Sequence, residues 1–114
     1  MENLFEKIKE YVKMDEEISA EEFLDYSTSV IKKLTADFDQ LTEDELFQAK
    51  AITSILAANA ATRGKRRDAN AKKFKKINEK STFWSGAVEY RLKKSGLSEA
   101  EISERSAAIE KDMK

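Results

Sequence analysis

Nine lysines and arginines stand against two acids between Arg63 and Lys80, RGKRRDANAKKFKKINEK, in a chain whose formal net charge is −1. Cations at that density can neutralise phosphates, pair with carboxylates of their own chain, or dock on an acidic partner. Wound on a helix at roughly 100° per residue, Lys65, Arg66, Lys72, Lys73, Lys76 and Lys80 fall within about a third of the circumference. Such a ridge, with Arg67 beside it, reads as a surface for nucleic-acid backbone. Backbone binding with little base readout is expected: the stretch holds a single aromatic, Phe74, so it lacks the stacking platform of a single-strand binder, and no helix-turn-helix, zinc-finger or RNA-recognition signature accompanies it.

The acids offer less chemistry. Asp37 to Gln48, DFDQLTEDELFQ, begins like a calcium loop with carboxylates at its first and third positions. Leu41 then takes a ligand position, Thr42 stands where the turn needs glycine, and Gln48 replaces the bidentate glutamate, so no metal is expected. The chain has no histidine and no cysteine, which removes the usual neutral-pH base, the thiol nucleophile and the zinc ribbon together. Gly64, Gly86 and Gly96 are scattered singly rather than gathered in a phosphate-cradling loop. The expectation is a protein that is not an enzyme and needs no cofactor.

Charge is partitioned along the chain. Residues 1–62 carry 6 basic and 14 acidic side chains, and residues 81–114 carry 6 of each, so the near-neutral total hides an acidic half followed by a basic segment. A second reading is therefore a protein-binding regulator or inhibitor, acting through its acidic N-terminal helices on a basic partner or through the Trp84 face. Within the chain, the same acids could face the basic stretch. Arg63 and Arg67 suit that arrangement best, because they interrupt an apolar stripe and need partners if buried.

The elements that position these groups are announced locally. An apolar residue, a hydroxyl residue, two residues, glutamate and a second apolar residue recur at Ile18–Phe23, Leu41–Leu46 and Leu97–Ile102. Each is a capping box within a hydrophobic staple and predicts a helix start at Ser19, Thr42 and Ser98. Gly96 followed by Leu97 predicts a Schellman stop over Leu92. Leu4, Phe5, Ile8, Tyr11 and Val12 form one face of a first helix, and Phe23, Tyr26, Ser27, Val30, Leu34 and Phe38 form one face of a second.

From Leu46 to Leu92 a stripe spaced by threes and fours continues through Arg63, Arg67 and Asn70. No apolar residue follows Gly64 to close a Schellman end, so the reading is one long helix over about 43–79, with Gly64 as the place for a kink. Helices at about 82–95 and 99–112 follow, and acidic helices over 1–40 precede. The fold class expected is all-α, a small bundle of four to five helices forming a single domain.

Beside the ridge, Phe74, Ile77, Phe83, Trp84 and Val88 read as an interface, with Tyr90 as a further core or interface anchor. A long apolar stripe is hard to cover with short helices, which predicts a homodimer. MENLFEKIKEYVK interrupts its apolar residues with charge and does not read as a secretion signal, and the apolar run 51–61 is far short of the ~20 residues that span a bilayer. A cytoplasmic protein without a membrane partner is expected.

Overall fold

The computed structural model describes residues 1–66 and 68–113. Among them the fold is an all-α bundle of five helices: α1 (Glu2–Lys13), α2 (Ala20–Asp37), α3 (Glu43–Gly64), α4 (Ala71–Lys94) and α5 (Glu99–Asp112), with a 3-10 turn at Phe38–Gln40. None of the described helices is long and apolar enough to cross a membrane.

The three helix starts form where the hydroxyl residues predict them. Thr42 Oγ1 accepts from the Glu45 N–H at 3.2 Å while Glu45 accepts from the Thr42 N–H at 3.0 Å, and Ser98 and Glu101 repeat the exchange. At Ser19 the hydroxyl half forms, with Oγ accepting from the Glu22 N–H at 3.1 Å. These bonds satisfy donors that a helix N-terminus otherwise leaves unpaired. The Schellman stop also forms: Gly96 sits at φ 109°, its N–H donates to Lys93 O, and the Leu97 N–H donates to Leu92 O.

The continuous helix expected over 43–79 is instead two helices folded back on each other. α3 ends at Gly64, α4 begins at Ala71, and α4 then runs unbroken through Ser81 and Thr82, where a fresh start was expected. Ser81 has no glutamate three residues on to complete a capping box, and it is fully buried inside α4. The turn is made by Asp68, whose carboxylate accepts the Asn70 N–H at 2.7 Å while its carbonyl accepts the Ala71 N–H at 3.3 Å. Gly64 is the point of close approach, because a Cβ there would stand 3.4 Å from Lys75 Cγ and 3.8 Å from Phe74 Cβ.

This hairpin is the centre of the bundle. The stripe faces itself, with Leu46, Ala49, Ile52, Leu56 and Ala60 of α3 buried along with Phe74, Ile77, Val88 and Leu92 of α4. α2 packs on α4 through Phe23, Val30 and Leu34, while α1 and α5 pack on α3 and contribute Ile8, Ile102 and Met113. Polar ties cross the layers as well: Asn78 donates to Ala57 O at 2.7 Å and Tyr26 donates to Leu4 O at 2.6 Å. Of the α1 stripe, Val12 turns outward.

Candidate nucleic-acid interface

The hairpin sorts the basic side chains into two groups. Arg63, Arg66, Arg91 and Arg105 are structural. Arg63 is 5% exposed and donates to Ile18 O at 2.8 Å, with Glu17 at 3.8 Å. Arg66 grips both oxygens of Glu17, at 2.6 and 3.1 Å, and this hydrogen-bonded pair holds the Glu17 carboxyl below its ordinary range. Arg91 donates to the carbonyls of Phe38, Asp39 and Leu41, tying α4 to the bend between α2 and α3. Arg105 of α5 bonds Glu43 and Asp44 at the start of α3 and lies 4.0 Å from the centre of the Phe47 ring.

The lysines in the first half of α4 are otherwise, whereas Lys93 near its end pairs with Glu99 at 3.7 Å. Lys72, Lys73, Lys76 and Lys80 are exposed, and none of them has a carboxylate oxygen within 4.0 Å among the described residues. Lys72 and Lys76 point most directly away from the buried face defined by Phe74, Ile77 and Ser81. Lys73, Lys76 and Lys80 also line a groove whose opposite wall is Glu21, Leu24, Asp25 and Thr28 of α2. Those acids give the ridge a boundary on one side.

The break at Gly64 changes the membership of the expected ridge. Lys65 and Arg66 lie in the turn rather than on the helix; Lys65 is exposed, and Arg66 is committed to Glu17. Arg67 lies outside the described residues. Thus four of the seven basic positions share one helix, a fifth adjoins it, and a sixth is part of the scaffold. The internal pairing expected for Arg63 occurs, but with Glu17 and the Ile18 carbonyl just before α2. The acids of α1 pair locally instead, Glu6 with Lys9 and Glu10 with Lys7.

The expected apolar interface is mostly core. Phe74, Ile77 and Val88 are 1%, 7% and 0% exposed, so they are not available to a second molecule. Their partners are the facing stripe of α3 and the side chains of α2, which removes the uncovered stripe on which the homodimer expectation stood. Trp84 is half-buried against Phe38, with ring centres 5.2 Å apart. Phe83 remains open at 66% exposure, and Tyr90, expected as an anchor, is open at 65%. Both project on the same side of α4 as Lys72 and Lys76, a relationship that angular position along 71–94 would have disclosed had the helix been read as one piece.

Compared with protein-family models, curated proteins and solved structures, the chain matches none.

Proposed function

We propose that this protein contacts nucleic-acid backbone electrostatically through the exposed lysines of α4, Lys72, Lys73, Lys76 and Lys80, with Lys65 of the adjoining turn. The observation that carries this reading is the sorting of cations: Arg63, Arg66, Arg91 and Arg105 are spent on carboxylates, carbonyls and rings, whereas these lysines have no carboxylate partner among the described residues. Uncompensated charge clustered on one helix attracts a polyanion and releases its counterions. Positions 72, 76 and 80 rise by about 6 Å per step, so successive ammonium groups can track successive phosphates without reading a base edge.

Docking of a basic protein on the acidic half has less support, because much of that acidity is consumed inside the chain. Glu17 is held by Arg66, Glu43 and Asp44 by Arg105, and Asp37 by Lys33 at 2.6 Å. The direct test is a titration of labelled duplex DNA, single-stranded DNA and RNA across a range of salt. Five contacts predict a log–log salt slope near −4.5 on duplex DNA and near −3.5 on a single strand, from about 0.9 and 0.7 per phosphate. Absence of binding at low salt would remove the proposal.

A further inference from the structure

We infer that the nucleic acid bound by this face is single-stranded, and that Phe83 and Tyr90 receive its unpaired bases. The inference rests on the phosphate-contact reading above and adds to it the class of strand. Around α4, Lys72, Lys76, Lys80, Phe83, Tyr90 and Lys94 project within an arc of about 80°. Phe83 and Tyr90 are the two most exposed of the large apolar side chains, at 66% and 65%. Open aromatics aligned with a row of lysines that have no carboxylate partner among the described residues suit a ligand that is anionic along one edge and aromatic along the other.

Duplex DNA meets only half of that description, since its base faces are stacked on one another and hidden. A single strand offers both phosphates and π faces, and aromatic side chains along a cationic track are how such strands are held without sequence preference. The spacing fits. Seven residues separate the rings by about 10 Å of helix axis, between one and two of the roughly 6 Å steps that the lysines offer to successive phosphates. Gly86 lies between them in the chain and adds no side chain, and a Cβ built there would meet nothing within 4 Å.

The rings are also held and bracketed. Trp84 stands edge-on to Phe83, with centres 5.3 Å apart and planes at 81°, and Trp84 is itself seated on Phe38. Lys94 places Nζ 5.7 Å from the centre of the Tyr90 ring, so cations flank the aromatic pair at both ends. One acid, Glu79, projects on this side among the lysines and opposes them. It stands on the lysine half of the face, a full turn before Phe83, and leaves the ground between the two rings uncharged.

The test compares the wild-type chain, F83A/Y90A and K72E/K76E/K80E on an unstructured single strand of about 15 nucleotides and on a duplex of the same length, with the mass of each free protein measured by light scattering. The expected result is tighter binding of the single strand by wild type. F83A/Y90A should lose about 30-fold or more on the single strand, change little on duplex and keep its salt slope, because its phosphate contacts remain. Circular dichroism should show F83A/Y90A folded, since both side chains are exposed. Equal binding of single strand and duplex, undisturbed by F83A/Y90A, would overturn the inference and leave the phosphate reading standing. Loss of both substrates in wild type would overturn both. A dimer that F83A/Y90A converts to monomer with unchanged nucleic-acid affinity would make this face a protein seam and equally overturn the inference.

Discussion

The guanidinium carbon of Arg63 stands 4.5 Å from the centre of the Phe23 ring, which sets the last turn of α3 against the first turns of α2. The same group lies 5.8 Å from the Phe74 ring at the start of α4 and donates to the Ile18 carbonyl before α2. One side chain thus gathers the points where three helices meet. Its burial explains why a charged residue can occupy a stripe position: the cation is covered by ring faces and satisfied in part by a backbone acceptor.

Removing that side chain should separate its polar contribution from its bulk. R63A deletes the stacking, the Ile18 bond and the volume together, and should cost about 2–4 kcal/mol. R63M keeps most of the volume and removes a buried charge whose Nε has no partner within the described residues, so it should recover a large part of that loss. Urea unfolding of the two variants would decide. Equal losses would mean that the Ile18 bond and ion pair matter and the packing does not.

Reversing the lysines should weaken binding through charge while leaving the fold alone. Lys72, Lys76 and Lys80 are exposed and without ion pairs among the described residues, so K72E/K76E/K80E should unfold within ~0.5 kcal/mol of wild type. Its salt slope should fall by about 2–3 units, with affinity reduced more than tenfold at low salt. By contrast R66E, which breaks the pair with Glu17, should alter stability more than the slope. A slope untouched by the triple reversal would place any phosphate contacts elsewhere.

Acid should weaken the fold through two identifiable carboxylates. Glu17 is held below its ordinary value first by its hydrogen bond from Arg66, and Glu45 first by the bond from the Thr42 N–H. A carboxyl with a depressed folded-state pKa adds stability that is present above the unfolded value of 4.5 and is lost as pH falls through the folded value. Glu17 is exposed and Glu45 is only half-buried, so the effect is modest. Thermal melts between roughly pH 6 and pH 3 should fall less steeply for E17Q/E45Q than for wild type, because amides in these places do not titrate. Parallel curves would assign the acid limb to other groups.

How far each feature could be read in advance depended on how local its cause is. The starts at Ser19, Thr42 and Ser98 and the stop at Gly96 were legible because each is satisfied within six residues. The all-α class and the stripe positions from Leu46 to Leu92 followed from spacing alone. What covers a stripe does not follow from spacing. Phe74, Ile77 and Val88 look the same whether they meet a second molecule or the preceding helix, and here they meet α2 and α3. The fold-back of α4 on α3 was hidden for a related reason: the groups that satisfy Arg63 and Arg66 lie 45 and 49 residues earlier in the chain. Asp68 and Asn70 were the local hint, as turn-forming side chains just where the stripe becomes polar. The lysine ridge was legible, because exposure on one arc needs only the helical repeat. Phe83 and Tyr90 belonged to it unnoticed, since a helix start expected near Ser81 cut the face in two.

The two glycines that punctuate the hairpin should respond oppositely to the same substitution. Gly96 has φ 109°, a conformation that costs an L-residue roughly 1–2 kcal/mol, so G96A should destabilise by about that amount although nothing lies within 4 Å of its new methyl group. Gly64 has no such backbone requirement, and its new Cβ would meet chiefly Lys75 Cγ at 3.4 Å, part of a flexible side chain that can yield. G64A should therefore be neutral or stabilising by up to ~1 kcal/mol, through better helix propensity and a less mobile unfolded chain. Chemical denaturation of both variants reads the difference directly. Destabilisation by G64A as large as that by G96A would mean that the approach of α4 to the end of α3 tolerates no added methyl, and that close packing at Gly64, rather than the Arg63 tie or the Asp68 turn, fixes where the chain folds back.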